Sequence, residues 1–350
     1  MKELEGKRVL VTGGTGSLGQ TLIKRILTGE LGRPESVTVF SRDESKQHYM
    51  RLHFLQKDNL PALEGGFLSS RELLNFRIGD VRDYPAVVAA VRNADIVFNA
   101  AALKHVSSCE YFPMEAVLTN IHGPANIARA IRENDLPVRK VIGISTDKAC
   151  KPINVLGMTK ALQERVLIEA NRDSPDVQYN CVRYGNVIAS RGSIIPLFVD
   201  LIKNDKAVTV TMPEMTRFLL SLDQAVDTVI EALRSSGRGE TWVPKAPSAQ
   251  IVDVATALMG DKKLPIIFTG IRPGEKIHEI MVSEEECFRT VARGDYYVIL
   301  PVLPELRSEA DHQPALAQEY SSRDGNLSGR PLLDLLTGAT KEIEQFRMAA

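Results

Sequence analysis

Lys7-Arg-Val-Leu-Val-Thr-Gly13-Gly-Thr-Gly16-Ser-Leu-Gly19 decides the fold. A short apolar run, residues 7–12, breaks at once into glycine, and the periodic apolar residues Leu22, Ile23, Ile26 and Leu27 then mark a helix. Glycines at 13, 16 and 19 allow a tight turn, close approach of backbone to a pyrophosphate, and close packing of helix on sheet. The phosphate would lie at the helix N-terminus, where free N–H groups and the helix dipole favour an anion. Glycines alone are a weak signal, because loops often carry them. Their place between a strand and a helix favours a dinucleotide-binding turn over a plain loop.

The next strand, Ser36-Val-Thr-Val-Phe40, selects the cofactor. An acidic residue at its tip would bind the ribose 2′-hydroxyl of NAD. Here the tip is Ser41-Arg42, with Lys46 one turn into the following helix, and a cation there suits the 2′-phosphate of NADP. Asp43, one position late, leaves NAD use open, and the alternative for Arg42 is a solvated loop residue.

Strand and helix patterns continue to alternate. Asn75-Phe-Arg-Ile78 leads to Asp80, placed at a strand tip to accept from the adenine amino group. Asp95-Ile-Val-Phe98 leads to Asn99 and the small residues Ala100, Ala101 and Ala102, against which a dinucleotide can lie. A long helix around 112–134, a strand at 139–144, a helix at 154–171 and a strand at 178–183 follow. This alternation predicts an α/β fold, a Rossmann-type doubly wound parallel sheet with helices on both faces and its ligands beyond the carboxyl ends of the strands. After about residue 190 the rhythm changes to short polar segments with Pro196, Pro213, Pro244 and Pro247, and helices at 222–235 and 250–259. The reading divides the chain into an NADP-binding domain at 1–190, a smaller substrate-binding lobe at 191–300, and a C-terminal arm and helix at 301–350. One strand and helix of the sheet are expected from later in the chain, the final helix at 331–346, and Trp242 in the core of the lobe.

The fifth strand ends in Ser145-Thr-Asp-Lys148, delivering a hydroxyl, an acid and a base side by side. Lys160 follows twelve residues after Lys148, and the position four before it is Leu156. The bland alternative for Asp147 and Lys148 is a surface ion pair.

Composition removes several classes of function. Hydrophobic content of 44%, charged content of 25% and a net charge of −1 describe an ordinary globule and give nucleic acid or an anionic membrane no purchase. No apolar stretch approaches the ~20 residues that span a bilayer, and the first residues lack a signal-peptide core. Cys109, Cys150, Cys181 and Cys287 show no metal-ligand spacing and fit a reducing compartment, so the expectation is a cytoplasmic protein without a metal.

Taken together, the motifs resemble the extended short-chain dehydrogenase/reductases, and more narrowly the inverting UDP-N-acetylglucosamine 4,6-dehydratases of bacterial surface-sugar biosynthesis. The stretches that carry the resemblance span about residues 5–290. They are Thr12–Gly19, Phe40–Glu44, Asn99–Val106, Ser145–Ala149, Arg183-Tyr-Gly-Asn-Val187 with Ser190–Ser193, Met215–Phe218 and Gly270–Glu279. The resemblance implies an enzyme that uses NADP catalytically, removes water across C5–C6 of the sugar, inverts C5, and forms homo-oligomers, dimers or hexamers. It implies cofactor contacts from Gly13, Thr15, Gly16, Ser17, Leu18, Gly19, Ser41, Arg42, Asp43, Lys46, Asp80, Val81, Ala100, Ala101, Lys104, Lys160 and Val187. Substrate contacts would come from Lys104, Asn186, Arg191, Arg217, Arg272 and Glu275, with the arginines suited to a pyrophosphate and Glu275 to the uridine ribose. Leu156 departs from the family, which has Tyr-x-x-x-Lys at this spacing; a capsular-sugar subgroup carries methionine there and is active.

The implied reaction moves hydride from C4 to the nicotinamide, removes a proton from C5 and hydroxide from C6, and returns the hydride to C6. Lys148, in a closed site beside an oxidised nicotinamide, is expected to have a depressed pKa and to act as the base at C5. Asp147, kept protonated by burial, would supply the proton for the C6 hydroxyl, and Thr146 would hydrogen-bond the C4 oxygen. Lys160 would hold the nicotinamide ribose. Without a phenol, the C4 hydroxyl proton goes to water, to Lys148, or through the ribose to Lys160. His105 and His278 read as structural histidines. A 4-epimerase or reductase of the same fold, and a non-catalytic NADP-binding scaffold, are the competing readings.

Overall fold

Strand β1 (Arg8–Thr12) is the central strand from which the sheet grows in both directions. On one side lie β2 (Ser36–Ser41) and β3 (Leu74–Ile78); on the other lie β4 (Ile96–Asn99), β5 (Lys140–Ile144) and β6 (Gln178–Val182), all parallel. This 3-2-1-4-5-6 order is the doubly wound Rossmann arrangement, with its switch point between β1 and β4. The computed structural model describes residues 2–58, 69–188, 193–307, 313–325 and 327–348.

Burial of both faces explains the apolar runs. Val9 and Val11 pack on one side against Leu22, Ile23 and Ile26, while Leu10 between them packs on the other with Val87, Val91 and Ile127. Helices Ser17–Leu27 and Leu222–Ser235 cover the first face; Tyr84–Val91, Gly123–Glu133 and Val155–Asp173 cover the second.

Several expectations are corrected by the structure. Three late strands, not one, join the sheet: Thr241–Pro244 runs parallel to β6, and Tyr296–Ile299 and Thr290–Arg293 extend it antiparallel to a total of nine strands. Trp242 is therefore core of the main sheet, 1% exposed on its seventh strand. The long helix at 112–134 is broken into Val106–Tyr111, Pro113–Val117, a π-turn at Leu118–His122 and Gly123–Glu133. Two prolines are the reason. Pro113 restarts the helix, and Pro124 has no N–H to return to the Asn120 carbonyl, so the chain widens by one residue there. The terminal helix is longer than expected, Gly329–Met348.

Smaller sheets fill the region after β6. Thr216–Leu220 pairs with Asn186–Val187 and Ser248–Gln250, Val208–Val210 with Ile266–Phe268, and Ile280–Val282 with Tyr320–Ser321. Among the described residues no helix is long and apolar enough to cross a membrane.

Candidate active site

A cleft of about 710 Å³ opens along the carboxyl ends of the strands, over the switch point. Gly13 has φ +64°, and a Cβ there would lie 2.7 Å from the Ala101 nitrogen, so only glycine lets β1 and β4 meet. A Cβ on Gly19 would strike Gly14 at 2.6 Å, which is the close helix–strand packing anticipated for the third glycine. The helix that follows, Ser17–Leu27, starts without a side-chain cap and without an acidic residue in its first turn. Its amides are thus open to a phosphate. Thr119 Oγ1, in the cleft lining, is buried without a partner among the described residues, as expected where a bound molecule supplies one.

Every residue expected to touch the dinucleotide lines this cleft: Gly13, Thr15, Gly16, Ser17, Leu18, Gly19, Ser41, Arg42, Asp43, Lys46, Asp80, Val81, Ala100, Ala101, Lys104, Lys160 and Val187. Arg42 stands half-exposed at the mouth, 3.5 Å from Asp80. Asp80 spends its carboxylate chiefly on Arg82, at 2.7 Å, which differs from the free acceptor anticipated for adenine. Burial pushes its pKa up, but the hydrogen bonds from Arg82 outweigh it and hold Asp80 below the usual carboxylate range. Asp43 turns back to cap Lys46, at 2.9 Å to its amide and 2.6 Å to its ammonium.

At the end of β5 the chain turns into a short 3₁₀ helix, Asp147–Ala149. Asp147 N–H donates to the Tyr184 carbonyl at 3.1 Å, which pins the turn. Thr146 Oγ donates to Asp147 Oδ1 at 2.9 Å, and Lys148 Nζ donates to the same oxygen at 3.0 Å. Lys148 Nζ also lies 3.1 Å from Glu279 Oε1, and Arg217 Nε lies 3.8 Å from that oxygen. Asp147 is fully buried and Glu279 is 2% exposed, yet Asp147 Oδ2 and Glu279 Oε2 have no partner among the described residues. The two carboxyls diverge: burial raises the pKa of Asp147 against the pull of Lys148, whereas Lys148, Arg217 and Lys276 overcome burial and lower that of Glu279. Lys148 corrects the sequence expectation. Burial opposes its charge, but Asp147 and Glu279 together raise its pKa, because two carboxylates share one ammonium.

Glu279 carries no role in the sequence reading. Its only signal was its place at the end of the Gly270–Glu279 stretch. Its backbone is held by Ser322, which accepts from the Glu279 N–H at 2.9 Å through Oγ and donates its own N–H to the Glu279 carbonyl at 2.8 Å. Thr216 Oγ joins Ser322 Oγ (2.7 Å) to His278 Nδ1 (2.8 Å), so His278 buttresses this frame.

Leu156 is 4% exposed and packs with Cys109 and Ala116, flanked by Leu103, Val106 and Val155. One turn on, Lys160 Nζ donates to the Ile144 carbonyl at 2.8 Å and to Gln163 Oε1 at 2.9 Å. Burial lowers its pKa to about 8. Asn120, whose backbone the π-turn displaces, braces this wall by bonding Leu103 and Thr159.

The substrate candidates are spread more widely. Asn186 lines the cleft, and its Oδ1 is buried without a partner among the described residues. Arg217 is buried and donates to the Thr216 and Ile277 carbonyls. Arg272 is exposed; Glu275, three residues on, keeps a buried Oε2 without a partner among the described residues. Their loop docks on the segment that follows the Asp147–Ala149 turn, with Asn154 donating to Gly274 at 2.6 Å and Lys276 to Cys150 at 2.6 Å. Arg191 lies outside the described residues. Beneath the turn, buried Arg183 forks to Glu164 (2.6 Å) and Glu286 (2.7 Å).

The chain belongs to the polysaccharide biosynthesis protein family, whose pattern it matches over residues 9–301. It is 42% identical over 328 residues to a UDP-glucose 4-epimerase of Rickettsia bellii (strain OSU 85-389), covering 91% of each. Among solved structures it resembles Pen from Bacillus thuringiensis, with a TM-score of 0.84 and 34% identity over 96% of this chain and 99% of that one. It shares its fold with DesIV, a dTDP-glucose 4,6-dehydratase from Streptomyces venezuelae solved with NAD and TYD bound (TM-score 0.65, 19% identity, 77% and 86% covered).

Proposed function

We propose that this chain is a sugar-nucleotide 4,6-dehydratase that acts on UDP-N-acetylglucosamine with inversion at C5, uses NADP, and feeds surface-polysaccharide synthesis. The observation that carries the reading is the row Asp147–Lys148–Glu279, of which Lys148 lines the cleft. Shuttling a hydride on and off C4 needs one group to handle one hydroxyl proton. This site holds an acid and a cation besides, which is what removal of water across C5–C6 requires. The glycine turn, the uncapped helix and the Ala100–Ala101 wall fit a dinucleotide, and Arg42 at the mouth supports a 2′-phosphate. When bound, the nicotinamide supplies reversible acceptance of a hydride from the sugar.

The chain's own groups divide the remaining work. Lys148 lines the cleft and exchanges a proton with C5. Its charge is held up by Asp147 and Glu279, so it has to give up a proton before it takes the C5 proton as the free amine; Glu279, 3.1 Å away, is the carboxylate placed to receive it. Asp147 delivers the proton that lets the C6 hydroxyl leave as water. Arg217 offsets the charge of Glu279, and its placement beside the 270–279 loop suits a pyrophosphate nearby. Assembly into homo-oligomers is part of the proposal, supported by exposed Tyr111, Met114, Met158 and Leu162 on adjoining helices.

The second reading is a UDP-sugar 4-epimerase, favoured by the name of the Rickettsia relatives. Incubating the protein with UDP-N-acetylglucosamine and measuring product mass separates the two. Loss of one water supports the dehydratase; an isomer of unchanged mass supports the epimerase and ends the first reading.

A further inference from the structure

Leu156 puts an aliphatic side chain where the C4 hydroxyl would meet a phenol, so the first proton of the reaction needs another destination. We propose that this proton passes through the Thr146 hydroxyl to the Asp147 carboxylate, which stores it until the C6 hydroxyl departs. The inference rests on the sugar-nucleotide reading above and names the group that replaces the phenol.

Three observations support the relay. Thr146 lines the cleft while Asp147 is fully buried behind it. A hydroxyl has one proton and two lone pairs. Thr146 commits its proton to Asp147 Oδ1 at 2.9 Å and one lone pair to the Lys148 N–H at 3.4 Å. What it retains for a ligand is one lone pair, which accepts from an alcohol. Asp147 Oδ1 receives both Thr146 and Lys148, the pattern of an ionised carboxylate, and burial makes that carboxylate the stronger base.

Lys148 and Lys160 are occupied. Lys148 is held as the cation by two carboxylates, so it has no lone pair to offer at this step. Lys160 is tied back to Ile144 and Gln163. Among the apolar residues packed with Leu156, Cys109 is ionisable, and burial keeps that thiol protonated.

The step balances. The C4 O–H bond breaks as a new Thr146 O–H forms; the original Thr146 proton moves to Asp147 Oδ1. The C4–H electron pair leaves as hydride to the oxidised nicotinamide, and C4 becomes a ketone. Lys148 takes the C5 proton, the C5–H electron pair forms the C5=C6 double bond as the C6–O bond breaks, the stored proton leaves with the C6 hydroxyl as water, and Asp147 returns to its anion.

The test follows reduced nicotinamide by absorbance in a single turnover with NADP and either UDP-N-acetylglucosamine or UDP-glucose. Thr146→Val and Asp147→Asn should each slow its formation by about 10²–10⁴-fold, while Thr146→Ser, which keeps the hydroxyl, retains it. Adding Leu156→Tyr to Thr146→Val should recover most of the loss, a rescue that a merely structural role for Thr146 would not show. A readout without cofactor is the infrared carboxyl band of Asp147, identified by its loss in Asp147→Asn; its titration should move to higher pH in Thr146→Val, because the donated hydrogen bond is gone. Thr146→Val forming reduced nicotinamide at the wild-type rate overturns the relay, as does a wild type that forms none with either sugar. Reduction followed by return of hydride to C4 without loss of water removes the dehydratase reading and leaves the relay standing.

Discussion

Lys148 Nζ and Glu279 Oε1 lie 3.1 Å apart, joining the turn after β5 to the strand edge that follows the 270–279 loop. In the proposed reaction, the contact sets whether Lys148 holds a proton at rest. Glu279→Gln removes the carboxylate proposed to receive the Lys148 proton. Solvent-deuterium entry at C5 should then fall by about 10²–10⁴-fold near neutral pH and return as pH rises, because hydroxide then takes that proton in its place. Mass or NMR analysis of product made in heavy water reads this directly. Unchanged deuterium entry at neutral pH would remove Glu279 from the chemistry.

Arg42 concerns cofactor choice. It stands half-exposed at the cleft mouth, 3.5 Å from Asp80, where that carboxylate steadies it without neutralising it at close range. A guanidinium–phosphate contact contributes roughly 1.5–3 kcal/mol. Arg42→Ala should therefore weaken NADP binding about ten- to a hundredfold and leave NAD nearly unchanged. Calorimetric titration with both dinucleotides decides it, and equal losses would show that Arg42 does not meet the 2′-phosphate.

Leu156 bears on stability as well as on mechanism. Its side chain fills an apolar pocket with Cys109 and Ala116, so Leu156→Tyr overfills it. The expected cost is about 1–3 kcal/mol, read as a lower denaturant midpoint at unchanged slope. A variant as stable as the wild type would show that the site takes up the ring without crowding its neighbours.

Acid stability should depend on Glu286. Burial pushes its pKa up, but Arg183 and the Ser283 amide hold it at about 2, against an ordinary value of 4.5. A carboxyl depressed on folding contributes stability in full above its unfolded value and loses it as pH falls toward the folded one. The contribution, about 3 kcal/mol, is thus present above about pH 4.5 and fades down to about pH 2. Urea denaturation at about pH 5 and about pH 3 should show a steeper loss for wild type than for Glu286→Gln, which has no such proton to take up.

Strand ends and the turns after them were legible where sequence neighbours are also spatial neighbours. The glycine turn at 13–19, the strand tip at 41–42 and the Ser145–Lys148 turn are each one strand end and the residues just after it, so periodicity and turn chemistry reveal them. The parts that could not be read this way depend on distant contacts. Glu279 meets Lys148 only because the later strands bring the two together, and the raised pKa of Lys148 follows from that meeting. The three late strands were equally hidden, since Thr241–Pro244 is too short to show whether it joins β6 or a separate lobe. Pro124 was visible, but its effect on a helix passing over Val81, where Gly123 must come close, is a tertiary matter.

Ser322 gives the order of synthesis a consequence. On a chain emerging from the ribosome, the last strand of the large sheet is finished at Ile299, and the cleft walls can form from then on. Glu279 is not gripped on both sides of its peptide until Ser322 has followed. A nascent chain should hold dinucleotide before it can turn over sugar, so the protein comes of age in two stages, with its reactivity withheld until the scaffold is built.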